Sequence, residues 1–248
     1  MQRVLLLGGT TEASLLARAL AAARIDAVFS YAGRTANPVP QPLPQRIGGF
    51  GGIQGLIAYL ADQKITHVID ATHPFAAQMS HHAAAACVTL ALPLAALERP
   101  VWQPQQGDKW TVVQSLEEAV NHLPLAPSRI FLAIGRQTLS LFAAAPHHHY
   151  LLRLVDPPAA PIFPFSTTVI ARGPFEPADD LALLRDHRIT LVVTKNAGGS
   201  GADAKLTAAR ALGVPVIMVN RPNPPPRLAF ATVAGVLHWL GHPADLGV

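Results

Sequence analysis

The sequence holds one cysteine, Cys87, among 248 residues. A disulfide framework or a thiolate metal site cannot be built from it, and the cytoplasm is the expected compartment. Charge is scarce too: Asp, Glu, Lys and Arg together make up 14 %, against about 25 % in average soluble chains. The excess of +4 is carried by arginines that stand singly, among them Arg34, Arg46, Arg99, Arg136, Arg153, Arg172 and Arg221. A nucleic-acid binder gathers its basic residues into runs or stripes, so scattered arginine points instead to an acidic small molecule. The longest apolar stretch, Ala83 to Leu97, is interrupted by Thr89 and Pro93 and falls short of the roughly 20 residues that cross a bilayer. The four apolar residues after Met1-Gln2-Arg3 meet Gly8-Gly9 at once and are too few for a signal peptide. His147-His148-His149 are adjacent rather than spaced as metal ligands, and His81-His82 point two ways on a helix, so no metal is expected. No nucleophile elbow and no Cys–His signature is present.

What is present is core material and rhythm. Half of the residues are hydrophobic, and the 23 prolines sit in separate turns. Val4–Leu7 is apolar throughout, as a buried parallel strand is. Gly8-Gly9-Thr10 turns into a helical pattern with Leu15, Leu16, Ala19, Leu20 and Ala23 on one face. Further strands are expected at 25–29, 45–48 and 66–69, with one more inside 88–97, and helices at 53–60 and 76–86. After Glu98-Arg99-Pro100 the rhythm repeats. Strands fall at 111–114, 129–134, 150–155, 167–171, 189–193 and 214–219. Helices fall at 115–123, from Arg136 through Phe142, and at 176–187, 202–212 and 230–240, with Ser115 and Glu118 spaced as a capping box. The expectation is α/β: two Rossmann-like, doubly wound parallel-sheet domains, residues 1–98 and 99–248, with a ligand cleft between them.

Four stretches carry chemistry. Gly8-Gly9-Thr10-Thr11-Glu12 lies where a dinucleotide sets its pyrophosphate on a helix N-terminus, although the third glycine of the usual fingerprint is missing. At the end of the second strand, where NAD enzymes carry an acid, this chain has Ser30-Tyr31-Ala32-Gly33-Arg34. Hydroxyl and arginine there suit a 2′-phosphate, which selects NADP over NAD. Asp70-Ala71-Thr72-His73-Pro74 stands at the carboxyl edge of the same sheet, with His73 a candidate acid or ligand contact. Lys195-Asn196-Ala197-Gly198-Gly199-Ser200-Gly201 is a second glycine-rich turn. It lacks the Gly-Lys-Ser/Thr ending of a P-loop, and its amides with Lys195 and Asn196 suit a carboxylate or the nicotinamide end of the cofactor.

Taken in order, GGTTEA at 8–13, AGR at 32–34, GGFGG at 48–52, DATHPFA at 70–76, ERPVW at 98–102, FLAIGRQTL at 131–139, RLVDPP at 153–158, GPF at 173–175 and the long stretch 194–222 resemble the precorrin-6A reductase family of cobalamin biosynthesis, its cobalt-precorrin counterpart included. The resemblance implies an NADPH-dependent reduction of a ring double bond in an anionic tetrapyrrole, hydride going to one ring carbon and a proton to its neighbour. It implies that Gly8, Gly9, Thr10, Thr11, Glu12, Ser30, Gly33, Arg34 and Thr72 serve the cofactor. Arg136, Arg153, Lys195, Asn196, Gly198, Gly199 and Arg221 would serve the substrate. His73 and Lys195 are the side chains able to give the proton, with a bound water as the alternative. A monomer or small homo-oligomer is expected, without nucleic acid or membrane. Two other readings stay open: an NADP-dependent reductase or epimerase of another anionic metabolite, and a non-enzymatic NADPH sensor.

Overall fold

The apolar run at the N-terminus forms β1 (Arg3–Leu7), and Val4 to Leu7 are all buried in a computed structural model that describes residues 2–241. A turn at Gly8-Gly9 leads into α1 (Thr11–Ala22). Then come β2 (Asp26–Tyr31), β3 (Gln45–Ile47), α2 (Gly52–Asp62), β4 (His67–Asp70), α3 (Ala77–Thr89) and β5 (Leu94–Leu97). Alternation along β1 explains why helices cover both faces. Val4 and Leu6 face the cluster that holds Leu16, Leu20 and Phe29, while Leu5 and Leu7 face Leu56, Leu60 and Ala83. Thr10 caps α1, its Oγ1 accepting from the Ala13 N–H at 3.1 Å. Gly8 is required by packing: a Cβ there would lie 2.1 Å from the Phe29 ring.

The second unit spans Val101–Pro222. It runs β6 (Trp110–Val113), α4 (Leu116–Asn121), β7 (Arg129–Ala133), a 3-10 segment (Arg136–Ala144), β8 (His149–Leu154), β9 (Ser166–Ile170), α5 (Pro177–Asp186), β10 (Leu191–Lys195), α6 (Ala204–Leu212) and β11 (Val216–Val219). All its strand pairs are parallel, in the order β6-β11-β10-β7-β8-β9. The capping box at Ser115 forms, with the Glu118 N–H donating to Ser115 Oγ at 3.1 Å. The helix expected from Arg136 is a 3-10 segment instead. Gly135 offers it no capping side chain, and Thr138 and Ser140 are weak helix formers.

The chain then returns to the first unit, which comprises Met1–Pro100 and Asn223–Val248. β12 (Leu228–Phe230) pairs in parallel with β5, and α7 (Val233–Trp239) packs Val236 and Leu237 into the α1 cluster. This corrects the expected extent of the second domain, 99–248: its last part belongs to the first sheet. A strand of three residues leaves no periodicity to read, so 230–240 reads as a helix of the neighbouring unit. With β12 in place the first sheet has the order β12-β5-β4-β1-β2-β3, the doubly wound order that reverses direction between β1 and β4. The second sheet, read from β9, repeats it with the reversal between β7 and β10, but its sixth position is filled by β6, the unit's first strand.

Candidate functional site

Open α/β sheets bind ligands beyond the carboxyl ends of their strands, where the strand order reverses. In the first unit that place holds the turn after β1 and the loop after β4. Gly9 has φ +130, and a Cβ built there would meet nothing within 4 Å. The amides at the start of α1 are therefore approachable, and Glu12 in the first turn is drawn aside by Arg99, whose Nη1 donates to it at 3.1 Å. Thr11 is exposed. Thr10 is occupied twice, capping α1 and donating its hydroxyl to the Ala71 carbonyl at 2.9 Å, so it ties the two loops of the reversal together. Of the expected cofactor contacts, Glu12 and Thr10 thus serve the frame with their side chains.

Asp70 is the hidden centre of this edge. Its Oδ1 accepts from the Thr72 N–H and hydroxyl at 3.1 and 2.7 Å, and its Oδ2 from Ser80 at 2.6 Å and from Arg227 Nη1 at 2.9 Å. Arg227 also grips Glu98. The segment leading into β12 therefore clamps the loop that presents Thr72 and His73. His73 is exposed, and its Nδ1 accepts from the Phe75 N–H at 3.2 Å. A neutral ring so held carries its proton on Nε2. Neither Asp70 nor Arg227 was marked as a site residue by the sequence, because the pairing spans 157 positions.

Ser30 is buried at the end of β2. The arginine beside it is Arg46, which stands opposite it in the β2–β3 register. Arg46 Nη1 donates to Ser30 Oγ and to the Gly48 carbonyl, both at 2.9 Å, and Nη2 donates to the Gly49 carbonyl at 3.0 Å. Its guanidinium lies 3.8 Å from the centre of the Phe50 ring. Burial presses its pKa below the ordinary arginine value, with the Tyr59 phenol acting the other way. Arg34, the residue expected here, is exposed on the loop beyond Gly33. The missed signal was the GGFGG run two residues after Arg46: at Gly48, Gly49, Gly51 and Gly52 a Cβ would meet nothing within 4 Å.

In the second unit the reversal joins the ends of β7 and β10. Arg136 is exposed at the start of the 3-10 segment and forms no ion pair among the described residues. Lys195 Nζ donates to Thr138 Oγ1 at 3.3 Å, and burial lowers its pKa from the ordinary lysine value. Gly198 and Gly199 take φ +68 and +72, the left-handed conformation glycine allows. Three expected substrate contacts are otherwise engaged. Asn196 holds the Trp102 backbone with both ends of its amide, at 2.8 and 3.0 Å. Arg221 donates to the carbonyls of Asn196 and Ala197, both at 2.9 Å. Arg153 pairs with buried Asp180 and stacks 3.6 Å over Phe175. These side chains, expected to face the substrate, brace the glycine loop and the core. Trp102 completes the brace, its indole N–H donating to the Gly199 carbonyl at 2.6 Å.

A cavity of about 160 Å³ lies among Trp102, Trp110, Asn196, Met218 and Arg221, well below the roughly 300–1,000 Å³ of small-molecule sites. Among the described residues no helix is long and apolar enough to cross a membrane, and no three His, Cys, Asp or Glu are gathered to hold a metal ion. Burial pushes the Cys87 thiol up to about 11, away from nucleophilic use.

This arrangement has close relatives. A family model described as precorrin-6x reductase CbiJ/CobK matches residues 3–241. A precorrin-6A reductase of Rhodobacter capsulatus is 60 % identical over 97 % of this chain and 96 % of its own. A cobalt-precorrin-6A reductase of Priestia megaterium is 28 % identical over 96 % of this chain and 97 % of its own. A solved structure titled CobK precorrin-6A reductase superposes with a TM-score of 0.95 at 59 % identity, covering the whole of both chains.

Proposed function

We propose, for a chain that belongs to the precorrin-6x reductase CbiJ/CobK family, that NADPH is the dinucleotide held at the carboxyl edge of its first sheet. The chain is an oxidoreductase that reduces precorrin-6A in cobalamin biosynthesis. The identities, 60 % to a precorrin-6A reductase against 28 % to a cobalt-precorrin enzyme, favour the cobalt-free macrocycle as its substrate.

The cofactor supplies the hydride. The chain's own part is placement, dry surroundings and the proton. The amides from Gly9 to Thr11 would receive the pyrophosphate, Ser30 and Gly33 would flank the adenosine ribose, and Thr72 and His73 would stand at the nicotinamide end. The observation that carries this reading is Gly9: its φ of +130 and the open space above it leave backbone N–H groups bare at a helix N-terminus, where a diphosphate is bound without any side chain.

Arg136 with the amides of Gly198 and Gly199 meets substrate carboxylates. Lys195 gives the proton: burial lowers its pKa, which makes its ammonium a stronger acid at neutral pH, and Thr138 orients it. His73, exposed with an N–H on Nε2 when neutral, is the second candidate.

The test is oxidation of NADPH by the purified protein with precorrin-6A, run beside NADH and beside a reaction without substrate. Oxidation that needs the macrocycle, prefers NADPH and shifts the visible spectrum of the tetrapyrrole is the expected result. Equal rates with NADH would remove the cofactor assignment, and oxidation with cobalt-precorrin-6A alone would remove the choice of substrate.

A further inference from the structure

Arginine at the edge of the first sheet falls into two kinds. Arg3, Arg99 and Arg227 each meet a carboxylate. Arg46 meets none among the described residues; its hydrogen-bond partners there are a hydroxyl and two carbonyls, all neutral. Those three bonds use both N–H groups of Nη1 and one of Nη2. A guanidinium has five N–H groups, so the Nε–H and one Nη2–H carry none of these bonds. The Nε–H belongs to the side edge of the fork, the edge that takes a phosphate or carboxylate in two bonds.

The same contacts fix where that edge stands. The stack on Phe50, with Tyr59 5.1 Å away, holds the guanidinium plane, and the bonds to Gly48 and Gly49 stop it from turning in that plane. It is anchored beside Ser30, at the carboxyl ends of β2 and β3. In a doubly wound sheet the adenosine ribose of a dinucleotide lies at the end of the second strand. A cation without a counter-ion, locked before any ligand arrives, loses little freedom on binding. Arg34 lies exposed on the loop, where solvent screens its charge.

Resting on the reading that the first unit holds NADPH, we propose that Arg46 is the residue that selects the phosphorylated dinucleotide, its Nε and Nη2 edge taking the 2′-phosphate in two charge-assisted hydrogen bonds. With NAD the same edge faces neutral hydroxyls, and the discrimination is about 10- to 100-fold.

The experiment is calorimetric titration of the full chain with NADP+ and with NAD+, without substrate, for the wild type, Arg46→Lys, Arg46→Gln and Arg34→Ala. The wild type is expected to bind NADP+ at least about 10-fold more tightly. Both Arg46 variants should lose most of that ratio through weaker NADP+ binding while NAD+ binding holds, which also shows them folded. Arg34→Ala should keep the ratio. If the Arg46 variants keep it, or Arg34→Ala loses it, the proposal is overturned and the NADPH reading stands. If both Arg46 variants lose NAD+ as well as NADP+, Arg46 merely shapes the loop, and the proposal is again overturned. If the wild type binds the two nucleotides alike, the NADPH reading fails and carries the proposal with it.

Discussion

The two units share one strand order and differ in what they offer at its reversal. In the first, β1 runs into Gly8-Gly9 and a 12-residue α-helix capped by Thr10. In the second, β7 runs into Gly135 and a 3-10 segment without a capping side chain. The first edge is bare backbone above a well-formed helix, which suits a diphosphate. The second presents the cations Arg136 and Lys195 beside a braced glycine loop, which suits carboxylates and proton transfer. The same order of five strands thus carries two different edges, and the difference lies in the few residues after one strand.

The comparison breaks most visibly at Lys195. If the second edge performs the proton transfer, Lys195→Ala lowers kcat by roughly 10²- to 10⁴-fold and leaves NADP+ binding unchanged. The donor must be protonated, so wild-type kcat falls as pH rises through a value that burial holds below 10.5. Lys195→Arg should move that limb upward, and a profile identical in both proteins would remove Lys195 from the role.

Next in size is the buried charge that each unit carries. Arg227 serves Asp70 in the first and Arg153 serves Asp180 in the second, and all four side chains are nearly inaccessible. Replacing either arginine by methionine strands a buried carboxylate and should cost its own unit about 3–5 kcal/mol. Urea unfolding followed by tryptophan emission separates them, since Trp239 reports on the first unit and Trp102 and Trp110 on the second. Loss confined to the wrong transition would show that the units do not unfold separately.

Glycine gives a finer test. Gly9→Ala and Gly135→Ala both force a side chain into positive φ, +130 and +77, at about 1–2 kcal/mol. Only the first should weaken NADP+ binding, by about 10-fold, as read by calorimetry. Equal effects would mean that the first turn has no special part in holding the cofactor.

The smallest effect separates the units in acid. In the second, His148 Nδ1 accepts from the Ser128 N–H at 3.1 Å, and its Nε2 and the Nδ1 of His149 are buried without a partner. Burial lowers both pKa values, assisted by His147 for the one and by Arg129 for the other. Both rings are therefore neutral in the fold, and the unfolded chain takes up protons first as pH drops below 6.5, the ordinary value. Stability is full above that pH and falls below it, by at most about 1.4 kcal/mol per pH unit for each ring. In the first unit burial lowers the pKa of His67, and with that ring set against the pair in the second unit its urea midpoint should respond less. His148→Asn, which keeps an acceptor for Ser128, should flatten the response of the second.

Much of the first edge was legible. The Gly8-Gly9 turn follows from a strand meeting a helix within a few residues, and the structure turns there, with Thr10 as the cap. Sequence neighbours draw the eye along β2 to Arg34, whereas Arg46 reaches Ser30 sideways across the sheet. Asn196, Arg153 and Arg221 looked like ligand groups, since a polar side chain in a motif does not announce whether its partner is a ligand or the protein. The family resemblance, read from short motifs spread along the chain, agreed with the comparisons.

The sequence by itself determined what depends on near neighbours: apolar runs, helix faces, caps, the glycines of both turns, and from these the α/β class with its two parallel sheets. Backbone geometry sets those periods within a few residues. Only the tertiary structure decided that β12 closes the first sheet beside β5, that Arg227 neutralises Asp70, and that Arg153 pairs with Asp180 while Arg46 bonds a hydroxyl and two carbonyls. Each of these rests on groups far apart in the chain meeting in a low-dielectric interior, where a charge is stable only beside its partner, and sequence spacing does not encode which partner that is.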